Sequence, residues 1–181
     1  MLLEATRSCV LAVDLQERLM PAVQEADAVV EHSVWLIQIA NRLAIPVLAS
    51  EQYPQGLGPT VAALKTVLPD TAIMSKTHFS CTQEPACWER INTSGRDQFV
   101  LLGAEAHVCV LQTALGLRER GKAVYVVAEG VSSRRLQDKE LALARMRAEG
   151  VQIVSREMVA FEWLERAATE PFREISRAFL R

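Results

Sequence analysis

The stretch from Leu101 to Gly121, LLGAEAHVCVLQTALGLRERG, constrains the fold of this chain more than any other. It begins as the end of an apolar strand, turns through Gly103, and continues as an amphipathic helix with apolar side chains at helical spacing. The pattern places Cys109 at the head of that helix, where unpaired backbone N–H groups and the helix dipole favour a thiolate. The same N–H groups could hold an oxyanion, so this turn is predicted to supply both a nucleophile and its stabiliser.

Apolar runs typical of buried strands alternate with helical periodicity along the whole sequence. The predicted strands are 9–15, 45–50, 71–76, 97–102, 123–130 and 151–155. The predicted helices are 26–43, 61–67, 84–91, the segment after Cys109, the segment that Ser132 and Ser133 would cap, and one or two within 157–180. This alternation predicts an α/β fold with a parallel sheet covered on both faces. No repeat or linker interrupts it, so residues 1–181 are predicted to form a single domain.

Composition excludes several classes of protein. The net charge is −2 and no basic face is evident, so a nucleic-acid partner is not expected. No apolar run approaches the ~20 residues of a membrane span, and the N-terminus lacks the features of a signal peptide. The chain is therefore predicted to be cytoplasmic. Its cysteines are then expected to be reduced, and their irregular spacing fits neither a disulfide framework nor a CxxC pair.

Three reactive residues fall at or just beyond predicted strand ends: Asp14, Lys76 and Cys109. Ligands of parallel sheets bind outside the carboxyl ends of the strands, so these residues could meet in one site. There Asp14 could take the thiol proton while Cys109 attacks the carbonyl of a small-molecule amide, with Lys76 holding the carboxylate. Each residue also has a plain structural interpretation. Asp14 could be a helix cap or a loop acid, Lys76 a surface lysine, and Cys109 a small buried hydrophobic residue.

Several segments resemble one enzyme family. VDLQERLMPAV, SKTHFSC and GAEAHVCVLQTAL, in this order, are similar to the signatures of the isochorismatase-like cysteine hydrolases, which are related to the nicotinamidases. EQYPQGLGPT and AEGVSSR resemble the isochorismatase domain-containing subgroup. The resemblance implies a three-layer, Rossmann-like fold whose six-stranded parallel sheet has the order 3-2-1-4-5-6. It also implies an Asp-Lys-Cys triad, which falls on Asp14, Lys76 and Cys109.

The resemblance further implies a cis peptide bond between Ala104 and Glu105. This bond would direct the Glu105 N–H, together with that of Cys109, at the oxyanion. Family members that hydrolyse isochorismate typically lack the cysteine, so Cys109 argues against that reaction. Nicotinamidases bind a metal through an Asp-x-His pair where this chain has SEQY at 50–53, so no metal and no other cofactor is predicted. A zinc site from His78, Cys81 and Cys87 is the alternative, although its spacing is irregular.

Five residues in loops or turns beside the triad are candidates for the substrate pocket: Gln52, Tyr53, Leu57, Phe79 and His107. The aromatic ones could equally pack the loops against each other. Four aromatic residues near the C-terminus are expected to be exposed: Phe161, Trp163, Phe172 and Phe179. Because exposed aromatic surface often contacts a partner subunit, they predict a homodimer or a larger even-numbered homo-oligomer.

The sequence thus predicts a cysteine-dependent hydrolase of a small amide that acts through a thioacyl intermediate. Two other hypotheses remain open. One is a catalytically silent oligomeric binding or scaffold protein of the same fold, and the other is a thiol redox sensor.

Overall fold

The computed structural model describes residues 1–69 and 71–180 and contains a six-stranded sheet in which every paired strand runs parallel. The strands are β1 (Ser8–Val13), β2 (Val47–Gln52), β3 (Ile73–Lys76), β4 (Gln98–Ala104), β5 (Ala123–Ser132) and β6 (Gln152–Val154). Their order in the sheet is β3-β2-β1-β4-β5-β6. The predicted fold class and strand order are confirmed.

The apolar composition of the strands follows from their position. All residues of β1 and β4 are buried, because these central strands have neighbours on both sides and helices on both faces. A strand buried on both faces needs apolar side chains at every position rather than at alternate ones. This is why continuous apolar runs located the strands to within a few residues.

Helices form a layer on each face of the sheet. They are α1 (Ala26–Arg42), α2 (Pro54–Leu57), α3 (Ala62–Lys65), α4 (Pro85–Thr93), α5 (Leu111–Glu119), α6 (Leu136–Ala148), α7 (Arg156–Leu164) and α8 (Glu170–Phe179). Buried residues of α1, α3, α7 and α8 pack on one face, which we call the α1 layer. Those of α4, α5 and α6 pack on the other, the α5 layer. None of the helices in the described part of the chain combines the length and hydropathy that crossing a membrane requires.

Two local expectations were wrong. Ser132 and Ser133 do not cap a helix, because Ser132 still belongs to β5, where it pairs with Ala104, and α6 begins only at Leu136. Gln52 and Leu57, expected in loops or turns, instead end the strand β2 and the short helix α2.

The aromatic residues of the C-terminal helices are mostly packed rather than exposed. Trp163 is buried in the α1 layer, and its indole Nε1–H donates a 2.9 Å hydrogen bond to Ser8 Oγ. Phe172 and Phe179 are partly buried against the same cluster. Phe161 alone of the four is largely exposed, at 49%. The expected exposed aromatic surface is therefore wrong for Trp163 and is reduced to a patch around Phe161.

Candidate functional site

The backbone changes direction where β1 ends, and this change places the first candidate residue. Asp14 follows the last residue of β1 and has φ of 53°, in the left-handed region. Its N–H still donates to Ser50 O on β2, at 3.0 Å. Its C=O no longer pairs with β2 and instead accepts the N–H of Gln16 at 2.9 Å. Asp14 thus lies at the carboxyl edge of the sheet with its side chain fully buried.

A glycine permits the close approach of β4 to the same point. Gly103 has φ of 131°, and a Cβ built on it would lie 2.1 Å from the carbonyl oxygen of Val13. The peptide bond between Ala104 and Glu105 is cis. A π-helical turn, Ala106–Val110, then leads into α5. Cys109 therefore lies in this π turn. The sequence had indicated the first turn of the α-helix, so that prediction was wrong.

Three polar contacts hold the carboxylate and the ammonium in place. Lys76 Nζ donates to Asp14 Oδ2 at 2.8 Å, and Ser50 Oγ donates to Asp14 Oδ1 at 2.6 Å. Lys76 Nζ also donates to Gln52 Oε1 at 2.6 Å. Because the side chains of Asp14 and Lys76 are both 0% exposed, each charge depends on these partners instead of water.

The environment of Cys109 favours a neutral thiol, whereas the sequence predicted a thiolate. Burial raises the pKa of Cys109 above its ordinary value, and the adjacent Asp14 carboxylate raises it further. Burial also raises the pKa of Asp14, although Lys76 opposes this rise. Burial has the largest single effect on Lys76 and lowers its pKa, but Asp14 together with Cys81 and Cys109 outweighs burial, so the net pKa of the ammonium is raised. The arrangement favours a resting thiol beside a carboxylate that is more basic than usual.

Exposure distinguishes Cys109 from the other cysteines. Of the four, all of which the structure describes, Cys109 retains 6% exposure, whereas Cys9, Cys81 and Cys87 are at 0%. Cys81 is close enough to Asp14 and Lys76 for both to influence its pKa, which burial raises. Cys109 is thus the least buried of the four thiols.

The alternative zinc site is not assembled. His78 is exposed, and its Nδ1 lies 3.1 Å from Glu84 Oε2, while Cys87 Sγ lies 3.6 Å from the carbonyl oxygen of Ser75. Within residues 1–69 and 71–180, no three His, Cys, Asp or Glu side chains are grouped so that they could hold a metal ion.

The five candidate pocket residues occupy different environments. Tyr53 is 55% exposed and lines a cleft of about 170 Å³ beside the end of β3. Gln52 is buried behind it and bonds to Lys76. Phe79 is 52% exposed, Leu57 is partly buried at the end of α2, and His107 Nδ1 lies 2.9 Å from Ser133 Oγ. Of the five, Tyr53 is the one found among the residues that line this cleft.

Two residues at the site were missed by the sequence reasoning: Ser50, which bonds to the candidate carboxylate, and Gln16, whose side chain bonds to the backbone of Gln52. A signal for Ser50 was present, since it is a hydroxyl residue near the carboxyl end of a buried strand. Gln16 carried no such signal, because its partner is backbone that only the tertiary structure brings near.

Comparisons with known proteins identify the family and the fold of this chain. The family model described as the isochorismatase domain matches residues 8–158. Isochorismatase domain-containing protein 2A of Mus musculus is 36% identical over 94% of this chain and 81% of its own length. The solved structure described as MAR1 ribonuclease from Caenorhabditis elegans superposes with a TM-score of 0.93 at 34% identity, covering 100% of this chain and 93% of that one.

Two structures of proteins called YcaC are also similar. The one from Pseudomonas aeruginosa, with hexane-2,5-diol and covalent acrylamide, has a TM-score of 0.89 at 25% identity over 99% of this chain and 92% of its own. The one from Escherichia coli, described as an octameric hydrolase of unknown specificity, shares the fold with a TM-score of 0.92 at 22% identity over 99% and 91%. The family model and the curated relatives together show that this chain belongs to the isochorismatase family of hydrolases.

Proposed function

We propose that this protein is a cysteine hydrolase that cleaves the C–N bond of a small amide through a thioacyl-enzyme intermediate. The observation that carries the proposal is the buried Asp14 carboxylate, which is bonded to Lys76 and Ser50 and lies beside the one cysteine that retains exposure. A carboxylate, an ammonium and a thiol are a sufficient set for acyl transfer.

In the first half-reaction, Cys109 Sγ attacks the amide carbonyl carbon while its proton moves to Asp14. The raised pKa of the thiol makes this coupled transfer preferable to prior ionisation, and the raised pKa of Asp14 makes the carboxylate a better base. The C–N bond then breaks, and the proton on Asp14 passes to the departing amine. The products of this half-reaction are a thioester on Cys109 and ammonia or an amine.

Backbone N–H groups of Glu105 and Cys109 are proposed to bind the oxyanion of the tetrahedral intermediate. Among the described residues, the Glu105 N–H has no hydrogen-bond acceptor. This donor is therefore available without first breaking another bond.

In the second half-reaction, water gives a proton to Asp14 and attacks the thioester carbon. The C–S bond breaks, the carboxylic acid departs, and the proton returns to Cys109. Lys76 Nζ lies 2.8 Å from Asp14 Oδ2, and its proposed role is to keep the carboxylate oriented between the two proton transfers. No cofactor takes part in the proposed cycle.

Known relatives support parts of this proposal. Acrylamide is an electrophile, so its covalent presence in the Pseudomonas aeruginosa YcaC structure implies a reactive nucleophile in that protein. The Escherichia coli YcaC is described as octameric, and this chain exposes Leu2 and Phe161 along one apolar cleft. We propose an even-numbered homo-oligomer located in the cytoplasm, where the free cysteines of the chain stay reduced.

The test is ammonia release across a panel of small primary amides. The wild-type protein should release ammonia from at least one amide, and Cys109→Ala should abolish the release. Cys9→Ala, which alters a buried thiol in β1, serves as the matched control and should retain it. RNA belongs in the same panel because one relative is described as a ribonuclease, and we expect it to stay intact. Sulfenate formation on Cys109 without any hydrolysis would instead support the redox sensor.

A further inference from the structure

We propose that Gln52 is a positioning residue that holds the Lys76 ammonium against Asp14, and that Gln16 fixes Gln52 by replacing a missing piece of β1. The inference deepens the proposed function, on which it rests, by adding two neutral side chains that act through the triad. It is carried by a continuous set of hydrogen bonds between buried groups.

β1 leaves a gap beside the end of β2. In a parallel pair, the backbone of β1 would continue to bond with Gln52, but the chain turns away at Asp14. The side chain of Gln16 fills the gap. Its Oε1 accepts the Gln52 N–H at 2.7 Å, and its Nε2 donates to the Gln52 carbonyl oxygen at 3.0 Å. One carboxamide thus acts as the peptide group that the strand no longer supplies.

The same carboxamide is held from a second side. Gln16 Nε2 also donates to Gly58 O at 2.7 Å, and Gln16 is 0% exposed. The end of β2 and the segment after α2 are therefore joined through one buried side chain. The position of the Gln52 backbone is fixed by side-chain chemistry rather than by the sheet alone.

The orientation of the Gln52 side chain is fixed by its two partners. Its Nε2 donates to the carbonyl oxygen of Thr77 at 2.8 Å, and a carbonyl can only accept. Its Oε1 therefore faces Lys76 Nζ, at 2.6 Å, and an ammonium can only donate. This amide accepts from Lys76 without adding a charge.

A neutral acceptor matters because the cluster contains several acidic groups. The titratable groups that act on Lys76 include the Asp14 carboxyl and the thiols of Cys81 and Cys109, and Lys76 also acts on the thiol of Cys87. A second carboxylate at position 52 would compete with Asp14 for the ammonium and raise the proton affinity of both Asp14 and Cys109. An amide anchors Lys76 while leaving Asp14 as the one fixed anion beside it.

Two variants separate positioning from packing. Gln52→Met keeps the length and bulk of the side chain but removes the acceptor, whereas Gln52→Glu keeps an acceptor and adds a charge. Gln152→Met, at an exposed position in β6, is the matched control. The first readout is the rate of Cys109 alkylation by iodoacetamide at one pH, resolved by peptide mass spectrometry. We expect Gln52→Glu to slow it about tenfold, Gln52→Met to slow it less, and the control to match wild type.

The second readout does not depend on the reactivity of Cys109. It is the carboxyl resonance of Asp14 in ¹³C-aspartate-labelled protein, which is assigned by its loss in Asp14→Asn. Its titration midpoint should be highest in Gln52→Glu, lower in Gln52→Met and lowest in wild type. This order supports Gln52 as a positioning residue even if Cys109 proves inert and the hydrolase proposal fails. Equal titration midpoints in all three folded proteins, or equal shifts in both variants, would overturn the inference and leave Gln52 as a packing residue.

Gln16 is tested by hydrogen exchange. Gln16→Leu removes the acceptor of the Gln52 N–H, so the peptide containing Gln52 should lose protection while peptides from β5 keep theirs. Unchanged protection at Gln52 would contradict the role assigned to Gln16.

Discussion

The α1 and α5 layers cover the same sheet but differ in composition. The α1 layer is packed with large aliphatic side chains such as Leu36, Ile37 and Ile39, and the indole of Trp163 is buried among them. All four cysteines belong to the apolar cluster on the α5 side of the sheet, and the π turn that carries Cys109 lies on the same side. One layer is built for packing alone, whereas the other combines packing with reactive groups.

The difference extends to the backbone. Where the site forms, Asp14 and Gly103 both have positive φ, and adjacent strands approach closely enough to exclude a Cβ. The helix α1 runs for 17 residues without such features. The other described non-glycine residues with positive φ lie at or next to the ends of helices, where such turns are common. At Asp14 the positive φ instead ends a strand, beside the close contact between β1 and β4, and backbone that costs free energy at such a place is compatible with a functional site. The layers should accordingly respond differently to substitution.

The largest effect is expected for Gly103→Ala. The added Cβ would lie 2.1 Å from the carbonyl oxygen of Val13, which is backbone and cannot rotate away. We expect the free energy of unfolding to fall by about 4 kcal/mol or more, measured by urea denaturation. Gly95→Ala is the control, because Gly95 also has positive φ but no atom within 4 Å of the added Cβ. Equal losses in both variants would show that strain in φ, and not close approach, dominates at Gly103.

Ile37→Ala should separate the layers. Ile37 is fully buried in the α1 layer, so its truncation should lower the free energy of unfolding by about 2–5 kcal/mol in urea. Because Cys109 belongs to the opposite layer, its alkylation rate in the folded variant should match wild type. A parallel fall in that rate under native conditions would mean that the two layers are coupled.

Ser50→Ala and Ser33→Ala remove the same hydroxyl group at the site and in the α1 layer. Ser50 donates to a buried carboxylate, so its loss should cost about 1–3 kcal/mol and raise the pKa of Asp14 further. Ser33→Ala is the counterpart in α1, where the hydroxyl bonds to the carbonyl oxygen of Val29, and it should cost about 1 kcal/mol. Urea denaturation and ¹³C titration of Asp14 measure both effects. An unchanged Asp14 titration in Ser50→Ala would contradict the assigned contact.

The smallest effect is expected for Glu84→Gln, at the edge of the α5 layer. A hydrogen bond from the backbone N–H of Thr77, together with one from the His78 side chain, lowers the pKa of Glu84 from the ordinary 4.5 to about 2. A carboxyl group with a lowered pKa stabilises the folded state above pH 4.5 and loses this contribution as the pH falls towards 2. Thermal unfolding of Glu84→Gln should therefore depend less on pH in this window than that of wild type. A pH dependence in Glu84→Gln identical to that of wild type would contradict these contacts.

Much of the fold could be predicted because its signals are local. Buried parallel strands appear as continuous apolar runs, whereas amphipathic helices repeat their apolar residues about every 3.6 positions, and these two patterns located every strand and most helices. The burial of Trp163 could not be predicted, because it depends on how α7 packs against Ser8, far away in the sequence. The π turn was missed because the strand, the glycine and the helical pattern around Cys109 are equally compatible with an ordinary α-helix.

The candidate site could be predicted only in outline. Strand ends identified Asp14, Lys76 and Cys109 as neighbours, since parallel strands bring their carboxyl ends to one edge. The protonation of Cys109 was predicted in the wrong direction because burial and the nearby Asp14 raise its pKa, and neither is visible in a local motif. The contacts of Gln16 and Ser50 depend on where β1 leaves the sheet, which only the three-dimensional structure reveals.

Acetylation by p-nitrophenyl acetate tests whether Cys109 is acylated with help from Asp14. Peptide mass spectrometry after a short incubation should locate the acetyl group on Cys109, and the label should disappear as water hydrolyses the thioester. Asp14→Asn should form the label more slowly, because the thiol has lost its proton acceptor. Acetylation confined to other residues, with Cys109 unlabelled in the folded protein, would contradict the account.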